Sequence, residues 1–440
     1  MDSYVYDLVK LVRQRSISAH GEGIAECIQI TTELIKRLGL NTQVYPIEGG
    51  HPVIYAKSPE SSQEGKGILM YNHYDVQPPD PINEWSRDPF SGDTDDKKIY
   101  GRGVADDKGD LVARLSALTS VKAILGEIPI PIKWVIEGEE EIGSPNIHKF
   151  IENNKKELSS ESCIWEAGDL NTFGTPEFFL GCKGLVYVEL SLSGTPIDKH
   201  SKYAAILESP VWRMVSLLRS LKNNEGEISL EGFYNDVETP SKEEMDLISN
   251  IQFDEKSTLN YLGAKDYLYG MKSAEILRSF IYSPTCNIAG ISSGYSGPGS
   301  KTILPSKAIV KIDFRLVPNQ TSKKILRILK NHLNKHGFED AKIIVHGLED
   351  PAKTPLNNNL VKRSSEAAKI VYGIDPVIWP MMPATGPMAL FKKELNIPVA
   401  MVNVIPYAGS SYHGPNEHIR LEDYKKGIKH FAALITGYKI

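Results

Sequence analysis

The 440-residue chain has few of the features that mark specialised protein classes. Its four cysteines lie far apart and form no CxxC pair, so we expect no disulfide bridges and a reducing compartment. No apolar run approaches the ~20 residues that a membrane-spanning helix needs. The first residues also lack the uninterrupted apolar stretch of a signal peptide. We therefore expect a cytoplasmic protein that has no membrane partner.

The chain also has little charge of one sign. Its formal net charge is −5 and no cluster of Lys or Arg is present, so no nucleic-acid partner is expected. The hydrophobic content of 41% and charged content of 24% are typical of a globular protein. A chain of this length is too long for one ordinary core, which predicts about two domains.

Strand and helix patterns alternate in the first third of the chain. The apolar runs Ile68–Tyr71 and Ile132–Ile136 resemble buried strands, and a helical pattern covers Lys108–Leu125 between them. Such alternation favours an α/β fold, with a mainly parallel mixed sheet flanked by helices. In these sheets the chemistry lies in loops at the carboxyl ends of the strands.

The middle of the chain has a different pattern. The strand pattern Leu185–Leu192 and the helix pattern Pro210–Leu221 are followed by residues 223–285, a polar stretch with weak periodicity. We predict a second α+β domain at residues 184–350, inserted in a first domain that consists of residues 1–183 and 351–440.

A histidine and an aspartate follow the first of these predicted strands. His73 stands at the strand end and can bind a metal ion through one ring nitrogen. Asp75, two residues further on, lies on the same side of an extended chain and can orient the other ring nitrogen. A surface histidine beside a helix-capping aspartate would produce the same pattern.

A glycine-rich turn precedes the predicted helix at Lys108. In the segment Tyr100–Gly109 two glycines allow a sharp bend that leaves Asp106 at the turn. One carboxylate there can bridge two cations, although Asp106 or Asp107 could instead cap the helix. A dinucleotide site is excluded because the third glycine of GxGxxG is missing.

Four acidic residues occupy five positions after the strand Ile132–Ile136. Carboxylates this close repel one another strongly where the dielectric is low. An exposed acidic loop is the usual explanation, but the apolar strand and the flanking glycines argue against it here. Glu140 and Glu141 could divide the work, with one binding a metal ion and the other acting as a general base.

Two further candidates are weak when each is considered alone. Glu166 follows the apolar run that ends at Trp165, and His413 lies in a Gly/Ser-rich loop after a strand that ends at Val404. All the candidates follow strands, however, and one sheet edge would gather them into a single cleft. Two histidines with a surplus of carboxylates are the ligands expected for two Zn²⁺ or similar ions.

The ordered motifs resemble those of the dinuclear zinc metallopeptidases. This family includes carnosinase-like dipeptidases, glutamate carboxypeptidase, aminoacylase, acetylornithine deacetylase and succinyl-diaminopimelate desuccinylase. The motifs that carry the resemblance are, in chain order, HxD at His73, GRGVADDKG, EGEEEIGS, the acid Glu166 and YHGPNEHI. They are spread over nearly the whole chain.

The resemblance implies a role for each of these residues. Asp106 would bridge two Zn²⁺ ions, with Mn²⁺ or Co²⁺ as alternatives. His73 and Glu166 would complete one metal site, and Glu141 and His413 the other. Glu140 would be the general base, and Asp75 would orient His73.

The resemblance implies that residues 1–183 and 351–440 form the catalytic domain and that the inserted residues 184–350 form a lid and dimerisation domain. It also implies contacts with the substrate. His200 would reach the active site of the partner subunit in a homodimer, and Arg315 would bind the substrate carboxylate. In the position of the Gly-Gly-Ser loop of many dipeptidases this chain has Pro383–Met388, so Thr385 and Gly386 are its candidate contacts. The predicted ligand at position 166 is a glutamate, as in the carboxypeptidase and deacylase branches of the family. The spacing of the motifs, however, is closer to that of the dipeptidases.

Three alternatives compete with hydrolysis of dipeptides or C-terminal residues. An N-acyl amino acid deacylase would use the same site. A serine hydrolase is suggested by GxSxG at Ser292, but a nucleophile elbow needs a helix to follow, and here Gly-Pro-Gly comes next. A catalytically inactive scaffold would be expected to lose ligands, and every ligand is present.

Overall fold

The computed structural model describes residues 2–59, 66–166 and 168–437. Within these residues every helix is too short or too polar to traverse a lipid bilayer. The α-helices are α1 (Ser3–Arg13), α2 (Ile24–Leu38), α3 (Lys108–Leu125), α4 (Ile147–Asn154), α5 (Pro210–Leu221), α6 (Lys242–Asn250), α7 (Glu255–Leu262), α8 (Ala274–Tyr282), α9 (Ser322–Lys335), α10 (Asn359–Tyr372), α11 (Met388–Leu395) and α12 (Leu421–Gly437).

The strands run from residue 41 to residue 420. They are β1 (Asn41–Tyr45), β2 (Val53–Lys57), β3 (Ile68–His73), β4 (Lys98–Tyr100), β5 (Ile132–Glu137), β6 (Ser162–Ile164), β7 (Gly168–Leu170), β8 (Pro176–Phe179), β9 (Gly181–Cys182), β10 (Gly184–Ser193), β11 (Lys199–His200), β12 (Thr285–Ser293), β13 (Ile303–Leu304), β14 (Lys307–Leu316), β15 (Lys342–Glu349), β16 (Ala352–Lys353), β17 (Val377–Trp379), β18 (Val399–Ala400), β19 (Val404–Tyr407) and β20 (His418–Arg420).

The largest sheet has the strand order β1-β2-β5-β3-β6-β18. Strands β5, β3, β6 and β18 run parallel, whereas β1 and β2 are antiparallel additions at one edge. Alternate residues of β5 face opposite layers. Trp134 belongs to the core cluster that includes residues of α1, α3 and α12, whereas Val135 belongs to the cluster that includes residues of α4 and α11. Burial on both faces explains why β3 and β5 have nearly continuous apolar sequences. The predicted α/β fold with a mainly parallel mixed sheet is confirmed.

A separate antiparallel sheet, of order β12-β14-β10-β15, lies in the middle of the chain. One face of β10, which carries Val186, Val188 and Leu190, packs against α5 and α9 and forms a core of its own. This second core supports the proposed inserted domain at residues 184–350. Strands β9 and β16, which pair with one another, flank these proposed borders. Residues 1, 60–65, 167 and 438–440 of the proposed catalytic domain lie outside the described residues.

The polar stretch 223–285 contains three helices that its weak periodicity did not predict. Helices α6, α7 and α8 have only eight or nine residues each. Ile248 of α6 and Leu277 of α8 pack in a small cluster with Trp379 of β17. A helix this short repeats its apolar spacing over barely two turns, and tertiary contacts provide most of its stability.

Candidate metal centre

Four of the predicted site residues lie at the carboxyl ends of neighbouring strands. His73 is the last residue of β3, and Glu166 follows β6. Glu140 and Glu141 lie in a 3₁₀ turn directly after β5. Since β5, β3 and β6 are parallel neighbours, their ends meet at one edge of the sheet.

Asp106 lies between the two histidines. Its Oδ1 atom is 2.9 Å from His73 Nε2, and its Oδ2 atom is 3.0 Å from His413 Nε2. On the two outer sides, Glu166 Oε2 is 3.6 Å from His73 Nε2 and Glu141 Oε2 is 3.1 Å from His413 Nε2. The predicted ligands therefore form two groups that share Asp106.

Asp107 is an additional candidate ligand. Its carboxylate belongs with His73 and Glu166 to a group whose potential ligand atoms all lie within 4.8 Å of one another, and His73, Asp106 and Glu141 form a second such group. The sequence pattern predicts Asp107 only as a helix cap. It does occupy the N-cap position of α3, but its side chain makes no capping hydrogen bond. Instead Asp107 Oδ2 accepts hydrogen bonds from Asn72 Nδ2 at 2.7 Å and from the backbone N–H of His73 at 3.0 Å.

The electrostatics of this cluster favour a bound cation. Burial, followed by the charges of neighbouring carboxylates, raises the pKa of Glu140 and of Glu166 well above its ordinary value. Glu166 Oε2 is buried and has no hydrogen-bond partner among the described residues. Hydrogen bonds to Asp106 and Glu141 raise the pKa of His413 to about 10. Imidazole nitrogens and surplus buried carboxylates are donors that fit divalent metal ions such as Zn²⁺.

Asp75 contacts both His73 and the acidic turn. His73 Nδ1 lies 3.0 Å from the backbone oxygen of Asp75 and 3.4 Å from its Oδ1, so the main chain shares the orienting role expected of the carboxylate. The two carboxylate oxygens also accept hydrogen bonds from the backbone N–H groups of Glu140 and Glu141. This arrangement leaves Nε2 of His73 directed at Asp106 and Glu166.

The structure brings two of the predicted substrate residues together. Arg315 Nη1, from the lid strand β14, donates a hydrogen bond to Thr385 Oγ1 at 2.6 Å. Gly386 follows Thr385, and its backbone oxygen accepts a contact from Cys182 Sγ at 3.5 Å. His200 is exposed at the end of β11, where its Nδ1 accepts a hydrogen bond from the backbone of Lys202. The hydrogen bonds of the described residues do not connect His200 to the carboxylate cluster.

Comparison with known families supports a peptidase. A family model described as Peptidase family M20/M25/M40 matches residues 69–437. Among solved structures, the M20 family metallo-carboxypeptidase Sso-CP2 from Sulfolobus solfataricus is 40% identical to this chain. The two superpose with a TM-score of 0.95 over 100% of both chains.

Two curated relatives are also similar along most of their length. The Cys-Gly metallodipeptidase DUG1 of Saccharomyces cerevisiae is 28% identical over 427 residues, which is 92% of this chain and 86% of that protein. The human Beta-Ala-His dipeptidase is 29% identical over 390 residues, which is 87% of this chain and 76% of that protein. The similarity thus includes both the catalytic layers and the inserted segment.

Proposed function

The chain belongs to peptidase family M20/M25/M40 and is a metal-dependent peptide hydrolase, and we propose that it is a dipeptidase or carboxypeptidase that uses two Zn²⁺ ions. The observation that carries the proposal is the position of Asp106, whose two oxygens face His73 and His413 in two different directions. One carboxylate between two histidines is the arrangement that a bridging ligand requires. Mn²⁺ and Co²⁺ prefer overlapping sets of donors and are the alternatives.

In this proposal each half of the cluster holds one ion. His73 and Glu166 bind the first, with Asp107 close to the same atoms, and His413 and Glu141 bind the second. Asp106 belongs to both halves. Two divalent ions held by these residues would lower the pKa of the attacking water and polarise the scissile carbonyl.

Glu140 moves the proton in this reaction. Its carboxylate is half-buried beside the ligands, and burial with neighbouring negative charge raises its pKa well above the ordinary value. A carboxylate in that environment can take a proton from the attacking water and hold it. It then gives the proton to the leaving amine nitrogen, which would otherwise leave as a strongly basic anion.

The lid provides the contact for the substrate's C-terminus. Arg315 donates a hydrogen bond to Thr385, so the two side chains lie close enough to bind one carboxylate together. Gly386 is buried, but a Cβ placed on it would meet no atom within 4 Å apart from its chain neighbours. A free C-terminal carboxylate is common to dipeptides, to carboxypeptidase substrates and to N-acyl amino acids.

We also propose that the enzyme is a homodimer and that His200 acts in the partner's site. The His200 side chain is exposed on the lid, and its Nδ1 is already paired with the backbone of Lys202. The remaining nitrogen, Nε2, is therefore available to stabilise the oxyanion at the scissile carbonyl. A cytoplasmic location is part of the same proposal, supported by four cysteines that are all free and buried.

A substrate panel with defined metals tests this function. Chelator-treated protein should hydrolyse none of the dipeptides, N-blocked dipeptides and N-acetyl amino acids, and added Zn²⁺, Mn²⁺ or Co²⁺ should restore turnover. Faster cleavage of dipeptides or N-blocked dipeptides than of N-acetyl amino acids is expected. Preference for N-acetyl amino acids would favour the deacylase, and full activity after chelation would exclude a metal mechanism.

The serine hydrolase alternative has little structural support. Ser292 lies inside the edge strand β12 of the lid, rather than at a turn between a strand and a helix. The next helix, α9, begins only at Ser322. Ser292→Ala should therefore leave peptide hydrolysis unchanged, and loss of activity in that variant would reopen the serine mechanism.

A further inference from the structure

Two arginines are buried next to the ligands without being ligands themselves. The side chains of Arg102 and Arg114 are 1% and 0% exposed. Burial of a guanidinium group is unfavourable unless its donors are matched by acceptors, so the groups that each arginine holds are informative. Each arginine contacts the backbone of chain segments that carry predicted ligands, and the two arginines contact different segments.

Arg102 pairs with Glu417, which is fully buried. Arg102 Nη1 donates to Glu417 Oε2 at 2.8 Å. The same carboxylate accepts hydrogen bonds from the backbone N–H groups of three turn residues, Gly103 (3.0 Å), Ala105 (2.8 Å) and Asp106 (3.2 Å). These contacts hold the backbone of the turn up to Asp106, whereas the Asp106 carboxylate itself contacts His73 and His413.

The same pair holds the loop of His413. Arg102 Nη2 donates to the backbone oxygen of His413 at 3.2 Å. His413 has a φ of 61°, and Asn416 has a φ of 60°, which is a left-handed conformation that residues with side chains rarely adopt. Such a backbone needs external contacts to persist. The ion pair thus connects two ligands that are 307 residues apart in the chain.

Arg114 makes the corresponding contacts in the other half of the site. From α3 its Nη1 donates to the backbone oxygen of Tyr71 at 2.7 Å and to Asn72 Oδ1 at 2.9 Å. Its Nη2 donates to the backbone oxygen of Trp165. These acceptors directly precede the ligands His73 and Glu166. Asn72 also donates to Asp107 Oδ2 at 2.7 Å, which extends the network to the additional candidate ligand.

We propose that the two arginines are positioning residues that set the two ion sites separately. Arg102 with Glu417 orients the site of His413 and Glu141, and Arg114 orients the site of His73 and Glu166. Their hydrogen bonds join different ligand segments: the network of Arg102 reaches the backbone of Asp106, and that of Arg114 reaches the side chain of Asp107. This inference rests on the proposed two-ion function and adds residues that determine how each ion is held.

Zn²⁺ titration of metal-free protein by calorimetry tests this division. Wild type should bind two ions. Glu417→Gln preserves the shape of the side chain but places an NH₂ group opposite backbone N–H donors. Arg102→Lys preserves the positive charge but loses the guanidinium group, whose N–H donors reach two acceptors at once. Each of these variants should keep one ion at wild-type affinity and bind the second at least about tenfold more weakly, as expected for residues that orient ligands. Arg114→Lys should show the same pattern, but in this variant the ion of His73 and Glu166 is the one that binds more weakly.

Double variants identify which ion has been lost. His413→Ala removes a ligand of the second site and leaves one ion. Adding Glu417→Gln to it should change Zn²⁺ binding no further, whereas adding Arg114→Lys should weaken binding of the remaining ion by at least about tenfold. If Glu417→Gln also weakens binding of the remaining ion, Arg102 and Glu417 support both ion sites, and the proposed division is wrong.

A matched control separates positioning from general stability. Glu244 is another buried carboxylate, paired with Lys353 at 2.9 Å, and Glu244→Gln should bind two ions normally even if its unfolding temperature falls. Should Arg114→Lys not fold, Asn72→Ala removes a link in the same network and should lose the same ion. Two ions of wild-type affinity in every single variant would overturn this inference alone. A wild type that binds a single ion would overturn the two-ion function as well.

Discussion

The Asp75 carboxylate holds the backbone of Glu140, whose N–H donates to Asp75 Oδ1 at 3.3 Å. The other oxygen of Asp75 accepts the N–H of Glu141 at 3.1 Å. These contacts set the backbone of two adjacent acids, and Glu141 Oε2 lies 3.1 Å from His413 Nε2. Glu140 belongs to neither of the groups of potential ligands within the described residues. Neighbours in sequence therefore have different surroundings, which is the physical basis for assigning them different roles.

The first prediction concerns proton transfer by Glu140. Glu140→Ala should still bind two ions, and its kcat should fall by about 10²–10⁴-fold because the proton-transfer group is lost. Steady-state kinetics together with metal analysis of the purified protein measure both quantities. Glu141→Gln is the matched comparison and should lose an ion. Near-normal turnover in Glu140→Ala would contradict the assignment.

The second prediction concerns the C-terminal carboxylate of the substrate. Arg315→Met should raise KM for substrates with a free carboxylate, because a charge-assisted hydrogen bond contributes about 1.5–3 kcal/mol. Thr385→Val should have a smaller effect, since it removes one hydroxyl and no charge. C-terminal amides of the same peptides are the control and should be almost insensitive to Arg315→Met. Equal losses for acids and amides would show that Arg315 stabilises the lid instead.

The third prediction tests whether His200 acts across a dimer. His200→Ala and Glu140→Ala should each be inactive alone. In mixed dimers the site with an intact Glu140 can receive His200 from the other chain, so mixing should restore up to about a quarter of wild-type activity. Size-exclusion chromatography must first show that mixed dimers form. No recovery in verified mixed dimers, or full activity in a monomeric form, would exclude the contribution in trans.

The fourth prediction concerns the pH dependence of the metal-free protein. Burial raises the pKa of Glu137 to about 8 and of Glu417 to about 7. An acid with a raised pKa in the folded state keeps its proton longer there than in the unfolded chain. Its contribution to stability is therefore complete below the unfolded value of about 4.5 and is lost as the pH rises through 7 to 8.

Urea unfolding between pH 5 and pH 9 measures this effect. The midpoint of wild-type protein should fall as the pH rises, and Glu137→Gln should show a smaller fall because its side chain cannot ionise. Glu137 accepts hydrogen bonds from Ser144 Oγ at 2.8 Å and from the Tyr71 hydroxyl, so the amide variant can retain both contacts. Identical pH profiles for the two proteins would rule out Glu137 as a contributor.

Much of the fold could be predicted from local patterns. The predicted helices Lys108–Leu125 and Pro210–Leu221 agree with α3 and α5, because α3 is followed by a glycine and α5 begins with a proline. Strand patterns at Ile68 and Ile132 were equally clear, since burial on both faces requires continuous apolar runs. Helices α6 and α8 could not be predicted in this way, because contacts with the distant Trp379 stabilise them.

The sequence by itself determined which residue types are available and where each follows a strand. Parallel strands end at one edge, so His73, the acidic turn after β5 and Glu166 had to converge once the α/β pattern was recognised. Only the tertiary structure decided that Asp107 turns toward His73 instead of capping α3. Tertiary structure likewise brought Arg102 and Glu417 together across 315 residues. The physical reason is that the partner of a buried charge is determined by tertiary packing. Sequence spacing does not indicate which distant residue will lie beside it.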